Sequence, residues 1–564
     1  MQKHLSTRPG RPAFCLMLLA ASAGLLSGCG DHDDDAAPGP AAPHALGCAE
    51  LAGKTVPAAA IGLPTGGATV TAATVVPATE AGNTNGAYCK VLGRIAASAG
   101  AIGAAAAPDV NFQLNLPANW NGKTVHMGGG GYNGTVVTAT GAVSFAPGVA
   151  PLSLGYATFG SDSGHVGNSA TADFALNEAA IDNFGYQHIK KTKDAAFALI
   201  KLRYGKAIEK SYFAGGSTGG REGMTAVERF PQDYDGVIAN APAINFSGVR
   251  LQGVKIGQAA YANNGAGFIN PAKQRLILNT AVDACDVDDG AADRIVGNVE
   301  ACRLKQAVIL AALACAGGAD QGDTCLSAAQ IDTVRAVSDD LVLPYPLAYG
   351  VNRHQGYNIL QGADFSSGLG LGNSATRLNP PTVAANGYLY TQGDGYLKYF
   401  IARDPDLNTL AFDLNNPGSY QQRLVDMSAT VGAMNPDLSA FQARGGKLIV
   451  LHGLADEVIS PNATIAFYRD QVARRGQAAV DAFWRFYTVP GLGHGDGVFI
   501  PSWDAIGALD AWVTKNTAPG TLIGTDTNVA TAGRSRPLCL YPAFPRYQGS
   551  GSIDAASNYV CAAP

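Results

Sequence analysis

Charge is what this chain has least of: only 15% of its residues are Asp, Glu, Lys or Arg. No extended basic run, basic stripe or alternation of basic and aromatic residues occurs, which argues against nucleic acid as a partner. Past the N-terminal leader no stretch of 18 uniformly apolar residues appears, so no membrane-spanning helix is expected there. CxxC pairs and histidine-rich spacings are also missing, which removes the usual zinc frameworks. The glycine run at residues 128–131 lacks the Lys-Ser/Thr ending of a phosphate loop.

The N-terminus carries a leader. Lys3, Arg8 and Arg11 precede the apolar run "AFCLMLLAASAGLL", too short for a bilayer and of the length of a signal-peptide core. The run closes on "LSGC", which resembles a bacterial lipoprotein signal with Cys29 as the acylated residue. Gly30 behind it does not resemble an inner-membrane retention signal, which favours an outer membrane; the expected location is periplasmic or outer-membrane, with extracellular release as the alternative. Residues 1–28 are thus read as signal, and 29–47, acidic and then Pro/Ala-rich, as a solvated tether. Loss of the leader removes three positive charges and no negative ones, taking the formal charge from −5 to −8. The remaining chain is long enough for a large core and suggests two domains. Ten cysteines less Cys15 and Cys29 leave eight: Cys48, Cys89, Cys285, Cys302, Cys315, Cys325, Cys539 and Cys561. An even set in an exported chain reads as disulfides. Proximity suggests 48–89, 285–302, 315–325 and 539–561, although sequence alone leaves the connectivity open.

Between residues 120 and 245, strand-like runs ("KTVHM", "YATFGSD", "SYFAGG", "DGVIANAPA") alternate with helix-like ones. Such alternation predicts a mainly parallel sheet covered on both faces. The rhythm stops near 245, where Asn, Gly and Pro become frequent, and resumes at "GGKLIVLHG". Expected boundaries are therefore 48–244 and 441–564 for a catalytic domain and 245–440 for an insertion.

"SYFAGGSTGGREGM" places Ser217 inside a G-x-S-x-G pattern, between a strand candidate and a helix candidate. A sharp strand-to-helix turn needs near-absent side chains around its apex and lifts the apex hydroxyl clear of the sheet. A serine hydroxyl needs a base, and the base an orienting acid. Downstream histidines are His354, His452 and His494. His354 lies in the irregular insertion, and His452 within a strand run, where it is read as a support. His494, in the glycine-rich loop "VPGLGHGDG", is the predicted base. Asp456, in "LIVLHGLADEVISP", is its predicted acid, and Asp496 the competitor. For the oxyanion, the Thr218 amide and one from Gly130 or Gly131 in "HMGGGGYNG" are the candidate donors.

Together "GGGGYNG", "GYATFGSDSGH", "FGYQHIKKTKDAAFALIKLRYG", "SYFAGGSTGGREGMTAVERFPQDYDGVIANAPA", "GGKLIVLHGLADEVISP" and "VPGLGHGDG" resemble the tannase/feruloyl esterase family, which includes mono(2-hydroxyethyl) terephthalate hydrolases. The resemblance implies an α/β-hydrolase fold with a large lid inserted between nucleophile and acid, Ser217, Asp456 and His494 as triad, and hydrolysis of aromatic-acid esters. It also implies a lid calcium loop in "CDVDDGAADRI": carboxylates of Asp286, Asp289 and Asp293, with the main-chain oxygens of Ala291 and Ile295. Oxygen-only donors suit a hard cation, though the spacing is not that of an EF-hand. One departure stands out: the cysteines that the family usually places before the nucleophile and after the histidine, forming a disulfide, are here Gly216 and Gly495. The triad's loops are therefore expected to be held by packing alone. Aromatics in "GYLYTQGDGYLKYFIARDP" are candidate pocket walls. Lys398 and Arg403 are read as solvated surface charges, with contact to a substrate carboxylate as the alternative. The expected partner is a small aromatic ester, met by a monomer whose only membrane contact is the lipid anchor. A catalytically silent ligand-binding lipoprotein and a calcium-dependent adhesion module are the rival readings.

Overall fold

The computed structural model describes residues 45–98 and 107–564; the leader, Cys29 and most of the tether lie outside the described residues. Thirteen strands form one mixed sheet. Its centre is parallel, in the order Ala157–Ser161, Lys123–Met127, Lys210–Gly216, Gly236–Asn240, Lys447–Gly453 and Trp484–Val489. Alternation along a strand divides its side chains between two cores. Phe213 packs with Val237 and Met224 on one face, while Tyr212 and Ala214 pack with Ile449, Leu509 and Trp512 on the other. Helices Thr218–Arg229 and Ala505–Lys515 supply those partners. Helix His188–Tyr204 buries Ala195, Leu199 and Ile200 against Leu114 and Phe159. The parallel, doubly covered centre is what the alternation predicted, and the arrangement is the α/β-hydrolase fold that the resemblance implied.

Antiparallel strands flank the parallel centre on both sides, Gly67–Val76, Tyr88–Ala96 and Val110–Pro117 at one, Ser535–Leu540 and Leu522–Asp526 at the other. The sequence reading did not anticipate them. Gly67–Val76 alternates irregularly between buried and exposed positions, so it lacks the continuous apolar run by which a doubly covered strand is recognised.

Strands Gly236–Asn240 and Lys447–Gly453 are direct neighbours, Val237 opposite Leu448. The chain between them contributes helices such as Phe246–Gly265, Pro271–Cys285, Ala328–Ser338 and Gln421–Val431, and one ribbon of two short strands, Leu341–Val342 and Arg353–His354. This interval docks beside the glycine run: Tyr132 stacks on Phe400 at 5.6 Å and donates its hydroxyl hydrogen to the Gln392 carbonyl at 2.7 Å. Disulfides join Cys48–Cys89, Cys285–Cys302, Cys315–Cys325 and Cys539–Cys561, the pairs that proximity suggested. Cross-links of this kind typically contribute about 2–4 kcal/mol each, through restriction of the unfolded chain. Among the described residues no helix is long and apolar enough to cross a membrane.

Candidate active site

Ser217 occupies the turn between strand Lys210–Gly216 and helix Thr218–Arg229, with φ 59° and ψ −122°. A serine adopts such angles only when surrounding structure enforces them. Here the enforcement is backbone on backbone. A Cβ on Gly215 would lie 2.6 Å from the Gly219 carbonyl carbon, and one on Gly219 would lie 2.8 Å from the Gly129 carbonyl oxygen.

His494 and Asp456 meet this serine. Nε2 of His494 is 3.0 Å from Ser217 Oγ, and Nδ1 is 2.9 Å from Asp456 Oδ2. Asp456 Oδ1 accepts from the backbone N–H groups of Val458 and Ile459, both at 2.8 Å. The carboxylate is fully buried. Burial alone would raise its pKa, but His494 and His452 hold it below the ordinary carboxylate range. For His494, burial pushes downward, and the Asp456 charge and hydrogen bond outweigh it, so the imidazole binds its proton more tightly than usual. A buried carboxylate behind the imidazole and a neutral hydroxyl before it set His494 up to accept the Ser217 proton.

The remaining candidates are placed as follows. His452 is buried, with Nε2 3.4 Å from Asp456 Oδ2 and 3.0 Å from the Ile459 carbonyl, and Nδ1 3.0 Å from Thr464 Oγ1; it supports the acid and does not face the serine. Asp496 lies beyond His494 without bonding Nδ1 and adds negative charge beside the imidazole. His354 is buried on its ribbon strand, held neutral by burial with a pKa of about 4. Lys398 requires a correction: it is not a solvated charge but buried, paired with Asp394 at 2.9 Å and donating to Asn379 Oδ1 at 2.8 Å. Arg403, by contrast, is exposed as expected and pairs at the surface with the Glu178 carboxylate.

Three amides near the nucleophile, those of Thr218, Gly130 and Gly131, have no acceptor among the described residues, which is what an oxyanion site requires. The glycine run is fastened around them. Gly128 N–H donates to the Ala214 carbonyl at 3.0 Å, and Thr218 Oγ1 donates to the Gly131 carbonyl at 2.6 Å. Glu222, which the sequence reading missed, accepts from Gly129 N–H at 3.0 Å and from Asn133 Nδ2 at 2.6 Å. Its place five residues into a helix of mostly small residues was the available signal. Burial opposes its ionisation, and His188 and Arg221 overcome that, lowering its pKa to about 2.

Gly130 and Gly131 separate by their surroundings. A Cβ on Gly131, at φ +57°, would lie 2.3 Å from the Ser169 carbonyl oxygen, whereas one on Gly130 meets nothing within 4 Å. Gly131→Ala is expected to lower stability by about 1–3 kcal/mol through clash and strained φ, and Gly130→Ala to leave the melting temperature unchanged. Thermal melts of the two variants check this.

The expected calcium loop is wrapped by its own amides: Asp289 Oδ1 accepts from Ala291 N–H, Asp286 Oδ1 from Asp293 N–H, and Asp293 Oδ1 from Ile295 N–H. Arg536 pairs with Asp293 and Lys305 with Asp288, while Asp286 and the buried Asp289 feel the charges of Arg294 and Arg536 only through space and are raised by burial, Asp289 to about 7. That charge excess fits a hard cation. Against it, no three His, Cys, Asp or Glu side chains gather closely enough among the described residues to hold a metal ion.

Fold and relatives together define a carboxylic ester hydrolase of α/β-hydrolase architecture. The chain belongs to the tannase and feruloyl esterase family, whose sequence profile matches residues 89–562. It is 42% identical to an uncharacterized esterase of Agrobacterium fabrum, covering 91% of this chain and 93% of that one. It is 32% identical to the mono(2-hydroxyethyl) terephthalate hydrolase of Piscinibacter sakaiensis, over 86% and 87%. The crystal structure of feruloyl esterase B from Aspergillus oryzae superposes with a TM-score of 0.72 at 25% identity, covering 88% of this chain and 97% of that one.

Proposed function

We propose that the protein is an exported serine esterase that hydrolyses esters of phenolic or terephthalic-type acids through an acyl-enzyme. The observation that carries the mechanism is the continuous Ser217–His494–Asp456 hydrogen-bond chain. His494 takes the proton of Ser217 as Oγ attacks the ester carbonyl, and the oxyanion is met by the amides of Thr218 and of Gly130 or Gly131. Collapse expels the alcohol, which receives that proton from His494. Water, deprotonated by the same imidazole, then attacks the acyl-enzyme; the acid leaves and Ser217 recovers its hydrogen. Asp456 fixes the tautomer and stabilises the imidazolium. The substrate class rests on the similarity to feruloyl esterases and to a terephthalate half-ester hydrolase. Hydrolysis of methyl gallate, methyl ferulate and a terephthalate half-ester should release the free acid from at least one, with Ser217 labelled by a fluorophosphonate. Labelling without turnover of any aromatic ester would refute the substrate class; no labelling would refute the mechanism.

Export is supported by the leader and by four disulfides, which persist in oxidising compartments. Lipidation of Cys29, an outer-membrane or periplasmic destination and a monomeric state belong to the same proposal. A structural calcium belongs to the same proposal on the resemblance alone, and it requires the carboxylates of Asp286, Asp289 and Asp293 to draw closer together around the ion than they stand here, with the carbonyl oxygens of Ala291 and Ile295 completing the shell. Chelation is expected to lower the melting temperature, calcium but not magnesium to restore it, and Asp289→Asn to abolish the response. A melting temperature indifferent to chelator would show the loop to be neutralised by Arg536 and its own amides.

A further inference from the structure

The loop at residues 143–146 touches the residues beside both members of the reacting pair. Phe145 is held at φ +60°, a region that a residue with a side chain enters only under constraint. Its ring lies edge-on to the His494 imidazole, 5.0 Å between centroids and 63° between planes. The same ring fills the side-chain space of the residues flanking nucleophile and base. A Cβ on Gly216 would lie 2.1 Å from Phe145 Cδ2, and one on Gly495 would lie 3.4 Å from Cε1. Bare backbone on either side is thus packed against one phenyl group. The loop is also bolted to the elbow. Asn240 donates from Nδ2 to the Ser144 carbonyl at 2.8 Å, while the Asn240 carbonyl accepts from Ser217 N–H at 3.0 Å. Val143 and Ala146 anchor the loop beside Trp503 in the apolar core, and Trp503 Nε1 donates to the Phe145 carbonyl at 3.4 Å.

We propose that Phe145 is a positioning residue for the Ser217–His494 pair, a wedge between Gly216 and Gly495 that keeps the imidazole at hydrogen-bonding distance from the serine. The proposal rests on the triad reading. Its physical basis is where the restraints on His494 fall. The base loop's bonds, Gly493 N–H to the Asp496 carbonyl and Asn528 Nδ2 to the Gly497 carbonyl, hold backbone only, and Asp456 holds the ring at a single atom, Nδ1, about which it can still tilt. Glu457 fixes the His494 amide at 3.1 Å, but nothing in that bond restrains rotation of the ring. A phenyl edge does. The ring also keeps water from the imidazole. The charged and titratable groups facing His494 are Asp456, Glu457 and Asp496; Phe145 adds none, so its loss acts through hydration and geometry alone.

The test uses the full chain with Phe145→Ala and Phe145→Leu. A displacement of about 1 Å costs on the order of 10²-fold, so Phe145→Ala is expected to lower kcat about 10–10²-fold with KM within about two-fold. Its kcat/KM acid limb should move to higher pH, because a hydrated imidazole holds its proton better. Fluorophosphonate labelling should slow by the same factor as kcat. Phe145→Leu, which keeps apolar bulk without the ring edge, should fall between the two, and it carries the same readouts if the alanine variant does not fold. Wild-type kcat and an unmoved acid limb in a folded variant would overturn the proposal even if the melting temperature fell. So would a raised KM at unchanged kcat, which would make the ring a substrate contact. Failure of wild-type Ser217 to label would instead overturn the triad reading itself.

Discussion

Ser217→Ala is expected to lower kcat by on the order of 10⁶-fold while leaving KM for the ester within a few-fold, because the hydroxyl contributes to the transition state and little to ground-state binding. The size of the loss follows from how the serine, imidazole and carboxylate act as one unit. With no oxygen at position 217, the proton that His494 would accept is gone, and the Asp456 field that raises its pKa has nothing to assist. Ser217→Ala should be no worse than the triple replacement of Ser217, His494 and Asp456. The residue of activity left by the oxyanion amides should be common to both, about 10³–10⁴ above water. Steady-state kinetics of the two variants, with stopped-flow detection of the alcohol to exclude contaminating wild type, measures it. A single-variant loss below tenfold would mean that ester cleavage runs through another group.

The meeting of Ser217, His494 and Asp456 could be anticipated from sequence because each follows a strand that is buried almost throughout its length. Lys210–Gly216, Lys447–Gly453 and Trp484–Val489 all lie in the parallel centre of the sheet, and the chain leaves each one at the same rim. The glycines around Ser217 were legible for a related reason, since close backbone approach leaves a compositional trace. Other features left none. Phe145 looks like an ordinary apolar residue in "GAVSFAPG"; its contact with Gly216 and Gly495 exists only once three distant segments converge. Lys398 was misread although a signal was there, an aspartate four residues earlier on the same helical stretch. Its burial could not be inferred from that spacing, because the stretch packs, through Phe400, against Tyr132 and Phe174, which lie far upstream of the insertion. Glu222 was overlooked because a lone glutamate on a helix is usually solvated. Its role comes from the glycine run that folds over it.

Asp456→Asn should cost kcat about 10⁴-fold with the architecture intact, and should move the acid limb in the direction opposite to Phe145→Ala. Asp456 uses one oxygen to accept two backbone N–H groups and the other to accept Nδ1–H of His494. An amide can keep only one of these arrangements. If its oxygen stays with Val458 and Ile459, its NH₂ faces Nδ1 and forces the proton to Nε2, the tautomer that cannot accept from Ser217. The pH dependence carries the sign. Hydrolysis needs the neutral imidazole, so kcat/KM rises with pH through the His494 pKa, which in the wild type lies above the ordinary value of 6.5. Without the Asp456 charge, burial is the largest remaining influence and pushes downward, opposed only by Glu457 and Asp496. The acid limb should therefore appear at lower pH, with a far smaller plateau. His452, still 0% exposed beside the substituted side chain, has no path to the serine and should not rescue. A plateau within tenfold of wild type, or a limb that stays in place, would remove Asp456 from the mechanism and make Asp496 the acid to examine.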